Sequence, residues 1–126
     1  MEENTNEKVE KKIDNRIITN KQRINKIDDD LEFEKARLKK MDSMQEELHA
    51  LNKSLSKCIY LLSKSIKGPN TNVVFEDMNN SNHMFLENAS ATLEEEMADT
   101  KKNIHKLYEE KETIIQESRK KEQKEN

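Results

Sequence analysis

Residues 65–72 read Ser65-Ile66-Lys67-Gly68-Pro69-Asn70-Thr71-Asn72, and they hold both the only glycine and the only proline in 126 residues. A chain that avoids the two strongest helix breakers everywhere else and places them side by side is one long helical pattern interrupted once. Glycine after the last periodic residue is read as a left-handed helix C-cap, and proline beyond it cannot continue the helix. The loop is short, which favours an antiparallel helical hairpin.

Upstream of the break, apolar residues fall at Ile24, Ile27, Leu31, Leu38, Met41, Met44, Leu48, Leu51, Leu55, Cys58, Leu62 and Ile66. The steps are threes and fours, with one seven in which Glu34 takes a seam place, and charged residues fill the positions between. That is the heptad signature of a coiled-coil helix. The run of two threes through Leu38, Met41 and Met44 predicts a local disturbance of the supercoil. Val9, Ile13 and Ile17 extend the pattern weakly, so residues 1–12 are expected to be frayed or disordered and the first helix to span about 13–67.

Downstream, Met78, Phe85, Ala89, Leu93, Met97, Ile104, Leu107, Tyr108, Ile114 and Ile115 repeat the helical spacing. The tip is expected at 68–72, the second helix at about 73–121 and a charged tail at 122–126. Asn70, Thr71 and Asn72 are N-cap candidates, with Glu76 and Asp77 placed to favour the positive helix end. Asn79, Asn80 and Asn82 are weak helix formers, through which the helix is expected to continue. Residues 1–67 carry 15 basic and 13 acidic side chains, a balance of +2, whereas 68–126 carry 8 and 13, a balance of −5. Antiparallel packing sets these halves against each other. The fold class is therefore all-α: an elongated antiparallel two-helix hairpin, coiled-coil-like, that completes a larger helical bundle with a partner.

Composition narrows the function. Apolar residues are 32% and charged residues 39%, too lean for a thick core and consistent with a narrow apolar seam. The net charge of −3 with both signs interleaved provides no field for a nucleic-acid backbone. One cysteine, Cys58, excludes an intramolecular disulfide and is read as a small hydrophobe of the seam. No apolar run is long enough to span a bilayer, so no membrane insertion is expected. The opening MEENTNEKVEKK lacks a signal-peptide core, which points to a cytoplasmic protein, co-secreted, if at all, without a cleavable signal.

Catalytic and cofactor chemistry find no foothold. A single glycine precludes a glycine-rich phosphate loop, and no cofactor is expected. His49, His83 and His105 lack a second histidine at helical spacing and read as solvated helix residues. The acidic runs Asp28-Asp29-Asp30 and Glu94-Glu95-Glu96 point in different directions on a helix, so no metal site is expected. The chain is not read as an enzyme.

Binding is the better prospect. In Cys58, Ile59, Tyr60, Leu61 and Leu62, five consecutive apolar side chains point all around a helix, because each step turns about 100°. Across the tip stand Val74, Phe75 and Phe85. These eight residues form the expected partner-binding surface. Tyr108 and Glu112 share a face of the second helix at i,i+4 spacing. The Tyr-x-x-x-Glu pattern they make occurs as part of an export signal in helical-hairpin proteins of type VII secretion.

The charged first helix IDDDLEFEKARLKKMDSMQEELHALNKSL, the short break, the aromatic opening VVFEDM and the segment HKLYEEKETI resemble the small helical-hairpin targeting factors encoded beside LXG toxins of the Firmicutes type VIIb secretion system. The resemblance spans roughly residues 20–120 and is one of pattern and length. KGPN stands where the better-known hairpin family has Trp-x-Gly, which sets this chain apart from classical WXG-type substrates. The resemblance implies a non-enzymatic adaptor, or targeting factor, that binds the helical N-terminal region of a cognate LXG toxin, together with a second small hairpin protein, and promotes its export. It also implies that Tyr108 and Glu112 form an export signal. The competing reading is a structural coiled-coil subunit or a homodimeric four-helix bundle in a multiprotein assembly.

Overall fold

A computed structural model describes the backbone of residues 2–125 and the side chains of Lys12 and residues 18–122. Two long helices pack against each other, α1 over Glu2–Ser65 and α2 over Thr71–Glu125. The hairpin expected from the sequence is the fold. Helix α1 begins well before the expected residue 13, because its first residues are strong helix formers such as Glu and Lys with no Gly or Pro to stop them. It ends two residues before the expected 67, whereas α2 starts at Thr71 rather than 73 and extends past 121. Asn79, Asn80 and Asn82 do not interrupt α2. Val9, Ile13 and Ile17 lie outside the described side chains.

The turn is built differently from the glycine-cap expectation. The amide of Ile66 still donates to the Leu62 carbonyl at 2.9 Å, closing the last turn of α1. Gly68 does not have a positive φ; the left-handed residue is Asn70, with φ 68°. Asparagine tolerates that region better than other residues with a Cβ, since its short polar side chain can bond locally. The Asn70 carbonyl accepts the Val74 amide at 3.3 Å, which places Asn70 at the N-cap of α2. Thr71 ties the turn together, donating to the Gly68 carbonyl through Oγ1 at 2.8 Å. Because α2 starts at Thr71, its first turn holds no acid, and Glu76 and Asp77 fall two residues further in than expected.

The hairpin divides into two compact units, a terminal unit of residues up to Ala36 with those from Lys101 onward, and a central unit of Arg37–Thr100. In the terminal unit, Ile27, Leu31 and Ile114 are buried, with Ile24, Ile104 and Leu107 packed around them. The helices there run antiparallel, as their cross-pairs require. Asn20 Nδ2 donates to Ser118 Oγ at 2.8 Å, and Lys111 Nζ donates to Asp28 Oδ1 at 2.7 Å. Glu34 occupies the seam place assigned to it, half-buried, with Oε2 buried and lacking a hydrogen-bond partner.

In the central unit, Met41 and Ile59 are the buried apolar side chains, and Thr100 is also buried. The Thr100 hydroxyl is satisfied within its own helix, donating to the Glu96 carbonyl at 2.9 Å. Arg37 and Glu96 pair across the helices at 3.5 Å. Further along, Asn52 and Asn82 face each other, each side-chain amide donating to the other's backbone carbonyl at 3.4 Å. Asn82 Nδ2 also reaches Ser56 Oγ at 3.3 Å.

The inward-facing residues of α1 follow a strict alternation of fours and threes from Asn20 through Glu34, Leu38, Met41, Gln45 and Leu48 to Asn52. The disturbance expected at Leu38, Met41 and Met44 is absent, because the seam continues through polar Gln45 and leaves Met44 44% exposed. The departure from a heptad lies on α2 instead, where Ala89, Leu93 and Met97 follow one another in consecutive fours. That is the local signature of a stutter, which unwinds a supercoil.

Candidate helix-docking groove

The polar seam of the central unit has a consequence for the apolar side chains beside it. With Asn52 and Asn82 facing each other, the apolar residues one position away on each helix are turned to one flank. On α1 these are Leu51, Leu55, Cys58 and Leu62; on α2 they are Val74, Met78 and Phe85. Each set is itself spaced in threes, fours and sevens, so each forms a stripe, and in an antiparallel pair the two stripes lie on the same side. Between them is an open groove of about 710 Å³, lined by Leu55, Cys58, Ile59, Leu62, Val74, Asp77, Met78, Ser81, Asn82 and Phe85.

Four of the eight expected partner-binding residues meet in this groove with substantial exposure: Cys58, Leu62, Val74 and Phe85. Cys58, read from sequence as a seam residue, is exposed here. Ile59 was expected on the binding surface but is 6% exposed, because it continues the inward stripe; it forms the floor of the groove. Phe75 is half-buried and lies on the seam stripe of α2, seven residues before Asn82, so it serves the hairpin rather than the groove. Tyr60 and Leu61 are 56% and 53% exposed but point away from the groove. The Tyr60 ring is covered in part by Lys64, whose Nζ stands 4.6 Å from its centroid.

Sequence reasoning missed Leu55 and Met78 as groove residues, having placed both in the seam. Their spacing with Cys58 and Leu62, or with Phe85, is compatible with either role. Only the Asn52–Asn82 pairing separates the two stripes, and that pairing joins residues 30 apart in the chain.

Leu51, Leu55, Leu62, Val74, Met78 and Phe85 are each 41–57% exposed. Among the described residues, twelve of the fifteen exposed large hydrophobics belong to the central unit. The lining carries one carboxylate, Asp77, and its polar complement is otherwise amide and hydroxyl.

The expected export pair lies in the terminal unit. Tyr108 is 45% exposed, and Lys35 Nζ stands 5.0 Å from its ring centroid, a cation over an aromatic face. Glu112 is exposed one turn on, and its Oε1 accepts from Gln116 Nε2 at 3.4 Å. His83 and His105 each meet a glutamate of their own helix, Glu87 at 3.3 Å and Glu109 at 2.9 Å. Among the described residues, no cluster of three or more His, Cys, Asp or Glu could hold a metal ion, and no helix is long and apolar enough to cross a membrane. Comparison with protein-family models, with characterised proteins and with solved structures finds no match.

Proposed function

We propose that this protein is a non-enzymatic helix-docking module, whose central-unit groove receives the apolar face of partner helices. The observation that supports this reading is the second stripe. Leu51, Leu55, Cys58 and Leu62 repeat the three-and-four spacing of a helix-packing surface, yet each keeps a large exposed share beside the groove. Side chains at that spacing interdigitate with another helix and with little else, because ridges on one helix fit grooves of the same period on the next. The partner that the sequence resemblance implies is the helical N-terminal region of an LXG toxin, with the hairpin acting as its targeting factor. Tyr108 and Glu112, exposed in the terminal unit, would then remain free to be read by the secretion machinery while the groove holds the cargo.

The test is co-expression with the helical N-terminal segment of an LXG toxin, with the wild-type chain and a Val74→Glu/Phe85→Glu variant. Both altered residues are more than half exposed, so the variant keeps its fold by far-UV circular dichroism. The proposal expects a stable complex with wild type and none with the variant. Equal recovery of the complex with a folded variant would remove the groove from the interface.

A further inference from the structure

We infer that the turn end of the central unit docks on an anionic lipid surface, dipping its apolar side chains to headgroup level without crossing the bilayer. This goes beyond the helix-docking reading and shares only Leu62 and Val74 with the groove. Near the end of α1, Ile59 faces inward, and the next three side chains take the remaining directions, because each step turns about 100°. Tyr60 lies on the flank opposite the groove, Leu61 points away from α2, and Leu62 lines the groove. Together with Ile66, Val73 and Val74, these side chains gather 44–57% exposed apolar residues at one end of the unit. A helix seated in the groove covers Leu62 and Val74 and leaves the other four in water. A fluid interface that surrounds the end covers all six.

Charge identifies the surface. From Leu48 to Phe75 the chain carries Lys53, Lys57, Lys64 and Lys67 and no acid. Glu76 and Asp77, the first acids of α2, begin roughly 7 Å along the helix from Thr71 at about 1.5 Å per residue, and Lys64 and Lys67 stand nearer the turn. Residues 52–82 have a balance of +2, whereas the rest of the central unit, 37–51 with 83–100, has −5. An anionic surface therefore attracts the turn end and repels the other, which sets the unit end-on. Lys64 Nζ stands 4.6 Å from the Tyr60 ring centroid, so a ring and a cation share one level. At a headgroup boundary the ring enters the interface while the ammonium stays with the phosphates. The hydroxyls at this end are already satisfied within the chain. Ser63 Oγ donates to the Tyr60 carbonyl at 2.6 Å, Ser65 Oγ to the Leu61 carbonyl at 3.1 Å, and Thr71 Oγ1 to the Gly68 carbonyl at 2.8 Å. Each bond persists as water is withdrawn, which lowers the cost of entering the interface.

The full chain is sedimented with sucrose-loaded vesicles of phosphatidylcholine, with and without about 30% phosphatidylglycerol. It should bind the anionic vesicles at least about tenfold more tightly than the neutral ones. That difference should shrink between about 0.1 M and about 1 M salt, where the screening length falls from roughly 10 to 3 Å. Leu61→Ser/Val73→Ser, outside the groove lining, should weaken vesicle binding at least about tenfold while leaving toxin-segment binding unchanged, and Lys64→Glu/Lys67→Glu should weaken vesicle binding as much. All four residues are exposed, so both variants keep the wild-type circular dichroism spectrum. In a Tyr108→Phe chain Tyr60 is the only tyrosine, and acrylamide quenching of its fluorescence should drop on the anionic vesicles. No binding to anionic vesicles overturns the inference, and the docking module still stands if the same chain binds the toxin segment. Equal binding to neutral vesicles, or full binding by the lysine variant, overturns the anionic surface as the partner. Vesicle binding unchanged by Leu61→Ser/Val73→Ser overturns the apolar end as the contact. Loss of toxin-segment binding in that variant, with no vesicle binding by wild type, gives this end to a helical partner instead.

Discussion

Truncation of Leu31 to alanine separates the residues that hold the hairpin from those that dress its surface. Leu31 is 4% exposed and packs with Ile27 and Ile114 in the terminal unit. The substitution removes three carbons, worth about 2.4 kcal/mol at roughly 0.8 kcal/mol each. A cavity term adds to this in thick cores, where Leu→Ala costs about 2–5 kcal/mol. A seam between only two helices has open flanks, so neighbours and water relax into the gap and the cost falls near the lower end, about 2.5 kcal/mol. Leu62→Ala removes the same atoms from a side chain already 44% exposed and should cost about half as much, roughly 1.3 kcal/mol, in dilute solution. Urea unfolding followed by far-UV circular dichroism measures both, with the midpoint moving and the slope unchanged if the denatured state is unaffected. Equal losses for the two variants, or a Leu31→Ala loss below about 0.5 kcal/mol, would refute the assignment of the core.

Three further outcomes follow from the geometry. Gly68→Ala should be nearly neutral, since its φ is not positive and an added Cβ would meet only Thr71 Cγ2 at 3.6 Å, whereas Asn70→Ala should cost about 1 kcal/mol for the left-handed backbone at φ 68°; thermal melts distinguish the two. Asn82→Ala should destabilise the central unit by about 1 kcal/mol through loss of its bonds to Asn52 and Ser56, read as faster amide exchange in Arg37–Thr100. Glu112→Gln should leave stability within about 0.5 kcal/mol, because the residue is exposed; if Tyr108 and Glu112 form an export signal, toxin should be lost from the culture supernatant while the cytoplasmic complex persists.

The two helices and their single break were legible in the sequence because they depend on local signals: unbroken three-and-four spacing, and Gly68-Pro69 set in a chain otherwise free of breakers. The seam register in the central unit was not. Hydrophobicity favours Met44 and Leu51 over Gln45 and Asn52, yet Gln45 and Asn52 face inward, because the Asn52 amide finds its match in Asn82 on the other helix. A polar residue at a seam position is identified by its partner, and the partner lies across the turn. The same one-position offset moved Ile59 and Phe75 from the expected binding surface into the hairpin, and brought Leu55 and Met78 out of the seam into the groove. The left-handed residue was misplaced for a related reason. Glycine and asparagine both tolerate that backbone, and the turn that Thr71 closes onto Gly68 decides between them.

The most direct test of the central claim, that an inward stripe through Ile59 holds the hairpin while the adjacent stripe through Leu62 is a docking face, is the effect of one charge placed on each. The Ile59→Asp and Leu62→Asp chains are melted in dilute solution by circular dichroism. Ile59→Asp buries a carboxylate and should unfold the central unit, with a loss of several kcal/mol. Leu62→Asp should stay near the roughly 1.3 kcal/mol loss of Leu62→Ala. The reverse order, with Leu62→Asp the more damaging to the isolated monomer, would contradict the account.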